Sequence, residues 1–486
     1  MAGPLGRARE CGGMADDAPI IRLLRYCQEA VEQAMARGDP FVFEDALPTM
    51  FDEFFTLADE LGVLDGIERL TDPRRRTYVP LPVIGVIVLC RFLYGLGSFR
   101  GTGKVLLRNH VLLRRLGVAP EVLAKGGYYQ CQRAEGGEDP ESAPKPFDEE
   151  SITNVLARLD VEELNGLLVR FVEALRRRHP RWFQRGLFIM DSNHFRPKGS
   201  EEEYKWCCLM MWTPYGMIPV AAEFSATKGE GTGEKSVGPR LMQRVFTTYG
   251  DRGFVKLLLM DTGYLDGAAL RWLYDEHGVD WVMDPSKDML VTGGMLRAIE
   301  EKPQRPWVRV EGPKLDWPKE QLPQRHVMWV GERRNFTTYG LPVNGCVIRD
   351  TYPPSEKYPE GEVVYQCLVT SRMDWKAKEI HDAFRMRWCI ENTFGVMTTF
   401  WKLGQWEIGR FDVYRATILF MALTFGLLVV YLRERQLRIP LRGIRERLER
   451  QAQNRVLVFC GGAVVSATPA MLNAWVKKGL LSGPFP

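Results

Sequence analysis

The sequence predicts an α/β protein, with a mixed sheet carrying a β-rich insertion, an all-helical N-terminal region before it and a helical C-terminal tail after it. Three observations carry that prediction. Up to about residue 180, apolar residues recur at three-to-four spacing. From Gly186, short apolar strand patterns alternate with helical ones. From 303 to 372 only short β-like runs occur, separated by Pro- and Gly-rich turns.

In chain order, residues 1–13 read as a disordered leader, with Met14 as an alternative start. Residues 14–180 form the helical region, in the segments IIRLLRYCQEAVEQAMARG, FEDALPTMFDEFFTLADELGVL and EESITNVLARLDVEELNGLLVRFVEALRRR. A polar stretch from Arg133 to Pro146 interrupts it as an exposed loop or linker. Residues 181–302 supply the first part of the core. Its strands are GLFIMDSN, YKWCCLMMWTPYG and MIPVAAEFSATKG, the last two joined at a Pro-Tyr-Gly turn. A helix from Val237 to Tyr249, the strand VKLLLMDTGY, the helix GAALRWLYDEHG and the strand VDWVMDPS follow. Residues 303–372 are the insertion. Residues 373–435 return to the core with a long helical pattern beginning at an Asp374 cap, and 436–486 form the tail.

With 486 residues, 45% hydrophobic and 26% charged, the chain has the composition of a soluble globular protein of roughly two to four domains. Its net charge of +4, from 65 basic and 61 acidic residues, permits nucleic-acid binding without requiring it. The ten cysteines are scattered with no C-x-x-C pair, as expected of free thiols in a reducing cytoplasm. Two apolar runs bear on membranes. Leu81 to Cys90 is too short to span, and the 17 residues from Ala416 to Leu432 fall short of the ~20 a bilayer needs. The longer run reads as a fully buried core helix, and no membrane span is expected.

Two aspartates end apolar strand runs, Asp191 in FIMD and Asp261 in LLLMD, 261 − 191 = 70 residues apart. Open sheets place their sites at such strand ends. Glu391 lies 391 − 261 = 130 residues further, on a helix with Arg387 four residues before it. Three carboxylates offer hard oxygen ligands of the kind magnesium prefers, with room left for water and phosphate. Each aspartate alone also reads as a solvated strand-end acid, and Asp284, in WVMDPS, is a competitor. Ser192 and His194 flank Asp191, but no G-x-S-x-G elbow is present, and His194 reads as a loop residue.

FIMDSN, LLLMDTGY and RWCIENTFG together resemble the three catalytic segments of the DDE transposases of bacterial insertion sequences, particularly the insertion sequence four family. The resemblance covers roughly residues 185–432. It implies a ribonuclease H-like core in which Asp191, Asp261 and Glu391 are catalytic and hold magnesium, with manganese as a substitute. The implied function is cut-and-paste transposition, by metal-dependent cleavage at transposon ends and strand transfer into target DNA. The family signature Tyr-x-x-Arg-x-x-x-Glu, followed six residues later by Lys, reads here Phe384, Arg387, Glu391 and Thr398. Phe384 keeps an aromatic face without the hydroxyl, and Lys402 comes four residues late. These departures leave open whether cleavage passes through a DNA hairpin. Arg387 reads either as a phosphate contact or as an ion-pair partner of Glu391, and the two are compatible.

The resemblance also implies double-stranded DNA as partner, both terminal inverted repeats and target, bound by a homodimer or higher multimer at the bacterial nucleoid. The segment SFRGTGKVLLRNHVLLRRLG, with Arg100, Lys104, Arg108, Arg114 and Arg115, reads either as a DNA grip or as a solvated amphipathic helix. Arg74, Arg75 and Arg76 are equally ambiguous, and the arginine- and glutamate-rich tail reads as a salt-bridged helix. GSFRGTGK and GEGTGEKS lack the full phosphate-loop pattern, so no ATP site is expected. Two rival functions remain: a nuclease or recombinase on the same fold that does not integrate, and a domesticated, non-catalytic DNA-binding protein.

Overall fold

The computed structural model describes residues 50–440 except for short stretches, chiefly 129–144, 197–201, 227–232 and 313–317, together with 41–44, 456–460, 463–467 and parts of 443–448. The expected leader, the first helical segment, Arg76, Arg114, Arg115, most of the Arg133–Pro146 loop and the start of GEGTGEKS lie outside the described residues.

Nine strands form one mixed sheet: β1 (Leu187–Phe195), β2 (Tyr204–Thr213), β3 (Gly216–Ala226), β4 (Leu257–Met260), β5 (Asp280–Met283), β6 (Val308–Arg309), β7 (Gln324–Trp329), β8 (Asn344–Tyr352) and β9 (Glu362–Thr370). Their spatial order is β3-β2-β1-β4-β5-β9-β8-β7-β6. The β1–β2–β3 meander is antiparallel, while β4 and β5 run parallel to β1. The core is ribonuclease H-like, mixed α/β as the sequence predicts. The short runs between 303 and 372 extend this sheet, because β9 pairs antiparallel with β5 through Val369↔Met283 and Thr370↔Val282.

The helices before the sheet are α1 (Met50–Glu60), α2 (Val63–Glu68), α3 (Leu81–Leu93), α4 (Phe99–Val105), α5 (Glu149–Leu156), α6 (Val161–Arg178) and α7 (Pro180–Phe183). Within and after it come α8 (Glu234–Tyr249), α9 (Gly267–Asp275), α10 (Leu290–Glu301), α11 (Ala377–Arg385), α12 (Trp388–Trp401) and α13 (Phe411–Glu434). In addition to the helices, Phe41–Glu44 pairs with Val456–Cys460, which pairs with Ala463–Ala467, in a separate antiparallel sheet joining the two ends of the chain. The helical reading of both ends lacks this sheet. Its hairpin signal is the pair of β-branched runs VLVF and AVVS around Gly461-Gly462.

The long apolar run is a core helix. α13 is buried from Val413 to Leu428, apart from a half-buried Arg415, and packs against β3, α3 and α6. It approaches α6 so closely that a Cβ on Gly426 would stand 2.7 Å from Phe171 Cε1. α3, apolar except for the buried Arg91, is buried beside it. The helical leading region and the sheet therefore share one core.

The helical pattern from Asp374 divides in two. Asp374 pairs with Arg372 instead of capping, and α11 begins after Lys376, whose backbone N–H donates to Glu379 Oε2 at 2.7 Å. The chain breaks again at Met386–Arg387 before α12 starts.

Candidate active site

The parallel ladder between β1 and β4 runs from Leu187↔Leu257 to Met190↔Met260. Asp191 and Asp261 are the next residue on each strand, so sheet pairing sets the two carboxylates side by side. β4 and β5 pair with an offset of 280 − 257 = 23 residues. Asp284 holds the same position after β5, since 284 − 261 = 23. Three neighbouring parallel strands thus each leave their ladder on an aspartate. Asp191 does not end its strand, however: β1 continues to Phe195, and Asp191 lies opposite Cys208 of β2. His194 likewise lies within β1, not in a loop, with its Nδ1 3.3 Å from Glu203 Oε1.

Local backbone holds both aspartates. The N–H of Ser192 donates to Asp191 Oδ1 at 2.8 Å, and that of Thr262 to Asp261 Oδ1 at 2.7 Å. The chain after Asp261 closes into a short 3-10 turn, Thr262–Tyr264. The Tyr264 hydroxyl hydrogen-bonds Ser192 Oγ and lies 3.2 Å from Cys207 Sγ. Thr262 and Tyr264 escape sequence reasoning because neither residue type signals a role before its partners are known.

Glu391 arrives from α12, which seats Phe394 against Trp206 of β2 with ring centroids 5.3 Å apart. Arg387, at the N-cap of α12, reaches two carboxylates at once. Its Nη1 lies 3.5 Å from Asp191 Oδ2 and its Nη2 2.5 Å from Glu391 Oε1. The guanidinium also lies 5.4 Å from the Phe384 ring centroid.

Burial pushes the Asp191 carboxyl up to about 6, opposed by the Ser192 N–H and Arg387 and reinforced by Asp261 and Glu391. Burial, then Asp261, raises Asp284 as well, against hydrogen bonds from Thr262 and Gln366. Burial alone would lower Arg387, but Glu391, Asp261 and Asp191 outweigh it and hold the guanidinium above its ordinary value. Asp191, Asp261 and Glu391 against one guanidinium leave a formal charge of −2, before Asp284 is counted, around an Asp191 side chain that is 15% exposed, with that of Glu391 40% exposed. Such an excess is costly to bury, and a divalent cation with a preference for hard oxygen would relieve it. The donor set fits a cation of that class. Among the described residues no three His, Cys, Asp or Glu side chains already stand at metal-ligand spacing, and Arg387 bridges Asp191 and Glu391 instead.

The other residues singled out in the sequence lie elsewhere. Lys402 ends α12 in a left-handed conformation (φ 53°), about 16 Å along the helix axis from Glu391 by its 1.5 Å rise per residue. There its aliphatic chain crosses Gly97, where a Cβ would meet Lys402 Cδ at 2.9 Å. Gly97 leads into α4, on which Arg100 and Lys104 are exposed, and Arg108 is half-buried just beyond. Lys402 therefore joins the basic segment of the leading region, away from the carboxylates. Arg74 is engaged by Asp72 and the Val79 carbonyl.

Residues 182–425, 244 of the 486, match a family described as Transposase DDE domain. The matched span contains Asp191, Asp261, Asp284, Arg387 and Glu391. No curated protein matches the chain.

Proposed function

The chain belongs to the transposase DDE-domain family, and from that premise we propose that it cuts DNA at transposon ends and joins those ends to target DNA by a cut-and-paste route. Asp191, Asp261 and Glu391 are the catalytic carboxylates. The observation that carries this reading is the register-matched pair Asp191 and Asp261 at the end of the β1–β4 ladder, tied through Arg387 to Glu391.

In this reading the three carboxylates hold divalent cations, magnesium by the chemistry of the donors, with manganese as a substitute. When bound, the metal supplies Lewis-acid activation of the attacking water or 3′-hydroxyl and neutralises charge on the leaving oxygen. Arg387 offers its guanidinium to the phosphate between the carboxylates, and Phe384 presents an aromatic face beside it. Arg100, Lys104, Arg108 and Lys402 grip the duplex backbone away from the cut, fixing register without reading sequence. The active assembly is a homodimer or higher multimer holding both terminal repeats.

The test is cleavage of a duplex carrying the element's own ends, with and without magnesium, by the wild type and by folded Asp191→Ala, Asp261→Ala and Glu391→Ala. The reading requires cleavage only with metal and its loss in all three variants; a variant that cuts at the wild-type rate removes that carboxylate from the site. Joining of the cut ends to a circular target separates a transposase from a nuclease that does not integrate.

A further inference from the structure

We infer that Asp284 is a positioning residue for Asp261, acting through Thr262 and steadied by Gln366. The inference rests on Asp261 holding a divalent cation, as proposed above.

Thr262 commits both of its polar groups to the two acids. Its backbone N–H donates to Asp261 Oδ1 at 2.7 Å, and its hydroxyl reaches Asp284 Oδ1 at 3.0 Å and the Asp284 carbonyl at 2.9 Å. The other carboxylate oxygen of Asp284, Oδ2, accepts from Gln366 Nε2 at 3.3 Å. Asp284 therefore meets a neutral donor at each carboxylate oxygen, the one Thr262 hydroxyl proton being shared between Oδ1 and the Asp284 carbonyl, whereas Asp191 faces the Arg387 guanidinium.

That difference separates the roles of two acids at equivalent strand positions. A carboxylate whose oxygens are both engaged by neighbouring side chains is placed to orient a ligand residue. An ionised acceptor makes a stronger hydrogen bond than a neutral one, so Asp284 fixes the hydroxyl rotor of Thr262 more firmly than an amide could. Tying the Thr262 side chain to Asp284 restrains the residue at the start of the 3-10 turn, and with it the backbone N–H that meets Asp261. Gln366 connects this chain to β9, at the point where that strand passes from the exposed Glu362–Tyr365 to its buried half. The same contact thus ties the start of the turn after β4 to the strand that borders the site on the β5 side.

The test titrates manganese alone against the full-length protein, following the free-ion electron paramagnetic resonance signal, and pairs it with steady-state cleavage of an end duplex. Thr262→Val and Asp284→Ala should weaken manganese binding by about tenfold and lower kcat with KM for the duplex unchanged. Thr262→Ser, which keeps the hydroxyl, should restore both, a rescue that a general packing defect would not give. Asp261→Ala is the control and should lose the site. If Asp261→Ala fails to bind while Thr262→Val and Asp284→Ala bind as wild type, the inference is overturned and the metal reading stands. If Asp284→Ala abolishes binding as completely as Asp261→Ala, Asp284 is itself a ligand and the positioning role is overturned. If Asp261→Ala binds manganese like the wild type, the metal reading of Asp261 is what fails.

Discussion

Trp401 donates its indole N–H to the backbone carbonyl of Phe92, 2.7 Å away and 309 residues earlier in the chain. The two rings also pack edge to face, with centroids 5.3 Å apart. Trp401 ends the helix that carries Glu391, and Phe92 lies in the last turn of α3 in the leading region, so that helix is seated on the leading region. Trp401→Phe keeps most of the packing and removes one donor from the Phe92 carbonyl, which still accepts from the Gly95 N–H at 3.0 Å, and should cost about 0.5–1.5 kcal/mol. Trp401→Ala adds a cavity and should cost about 3–5 kcal/mol. Chemical denaturation measures both, and a Trp401→Phe variant as stable as the wild type would remove the hydrogen bond as a distinct contribution.

Arg387 neutralises part of a site that is otherwise acidic, which gives its removal two effects of opposite sign. Arg387→Ala takes the formal charge from −2 to −3, since Asp191 and Glu391 lose their shared cation. Manganese should then bind more tightly, on the order of tenfold. Cleavage should fall on the order of a hundredfold, because the phosphate loses a guanidinium. Weaker metal binding in this variant would show instead that Arg387 serves mainly to aim the two carboxylates.

Much of this arrangement is legible in the sequence, because it follows from local pattern. The apolar runs before Asp191 and Asp261 do form neighbouring strands, and the apolar residues from Ala416 do form a buried helix. What escapes is decided by distant partners. β1 continues past Asp191 because its ladder with β2 outlasts its ladder with β4, and no local signal reports the length of either. The break at Met386–Arg387 has no Pro or Gly to announce it. It accompanies the seating of Ile390 and Phe394 in the core. That the strands from 303 to 372 join the sheet is not legible either, because their pairing with β5 joins segments nearly ninety residues apart. Lys402, expected one turn beyond the signature position, instead turns away at a left-handed residue and meets Gly97.

That contact groups Lys402 with Arg100 and Lys104, and it predicts how each should affect DNA binding. Arg100→Ala and Lys104→Ala each remove one exposed cation from α4. Each should reduce the slope of log affinity against log salt by about 1, with the loss the same for end and unrelated duplexes. Fluorescence anisotropy across a salt series measures the slope. An unchanged slope would return α4 to the reading of a solvated helix.

Asp191 makes the stability of the metal-free protein depend on pH in a definite direction. Its carboxyl is held at about 6 in the folded chain against 3.8 when free, chiefly by burial. The folded state therefore binds this proton more tightly than the unfolded state does. The stability it contributes is fully present below pH 3.8 and is lost as pH rises through about 6. Asp191→Asn abolishes the titration, so in chelator it should melt above the wild type at pH 7.5 and close to it at pH 4. The difference at the higher pH should be at most about 3 kcal/mol, because each tenfold gain in proton affinity is worth about 1.4 kcal/mol. Thermal melts at the two pH values decide the matter. A variant no more stable than wild type at pH 7.5 would mean that Arg387 already compensates the buried charge, and that the acidic excess offered as the reason for a cation resides in Asp261 and Glu391 alone.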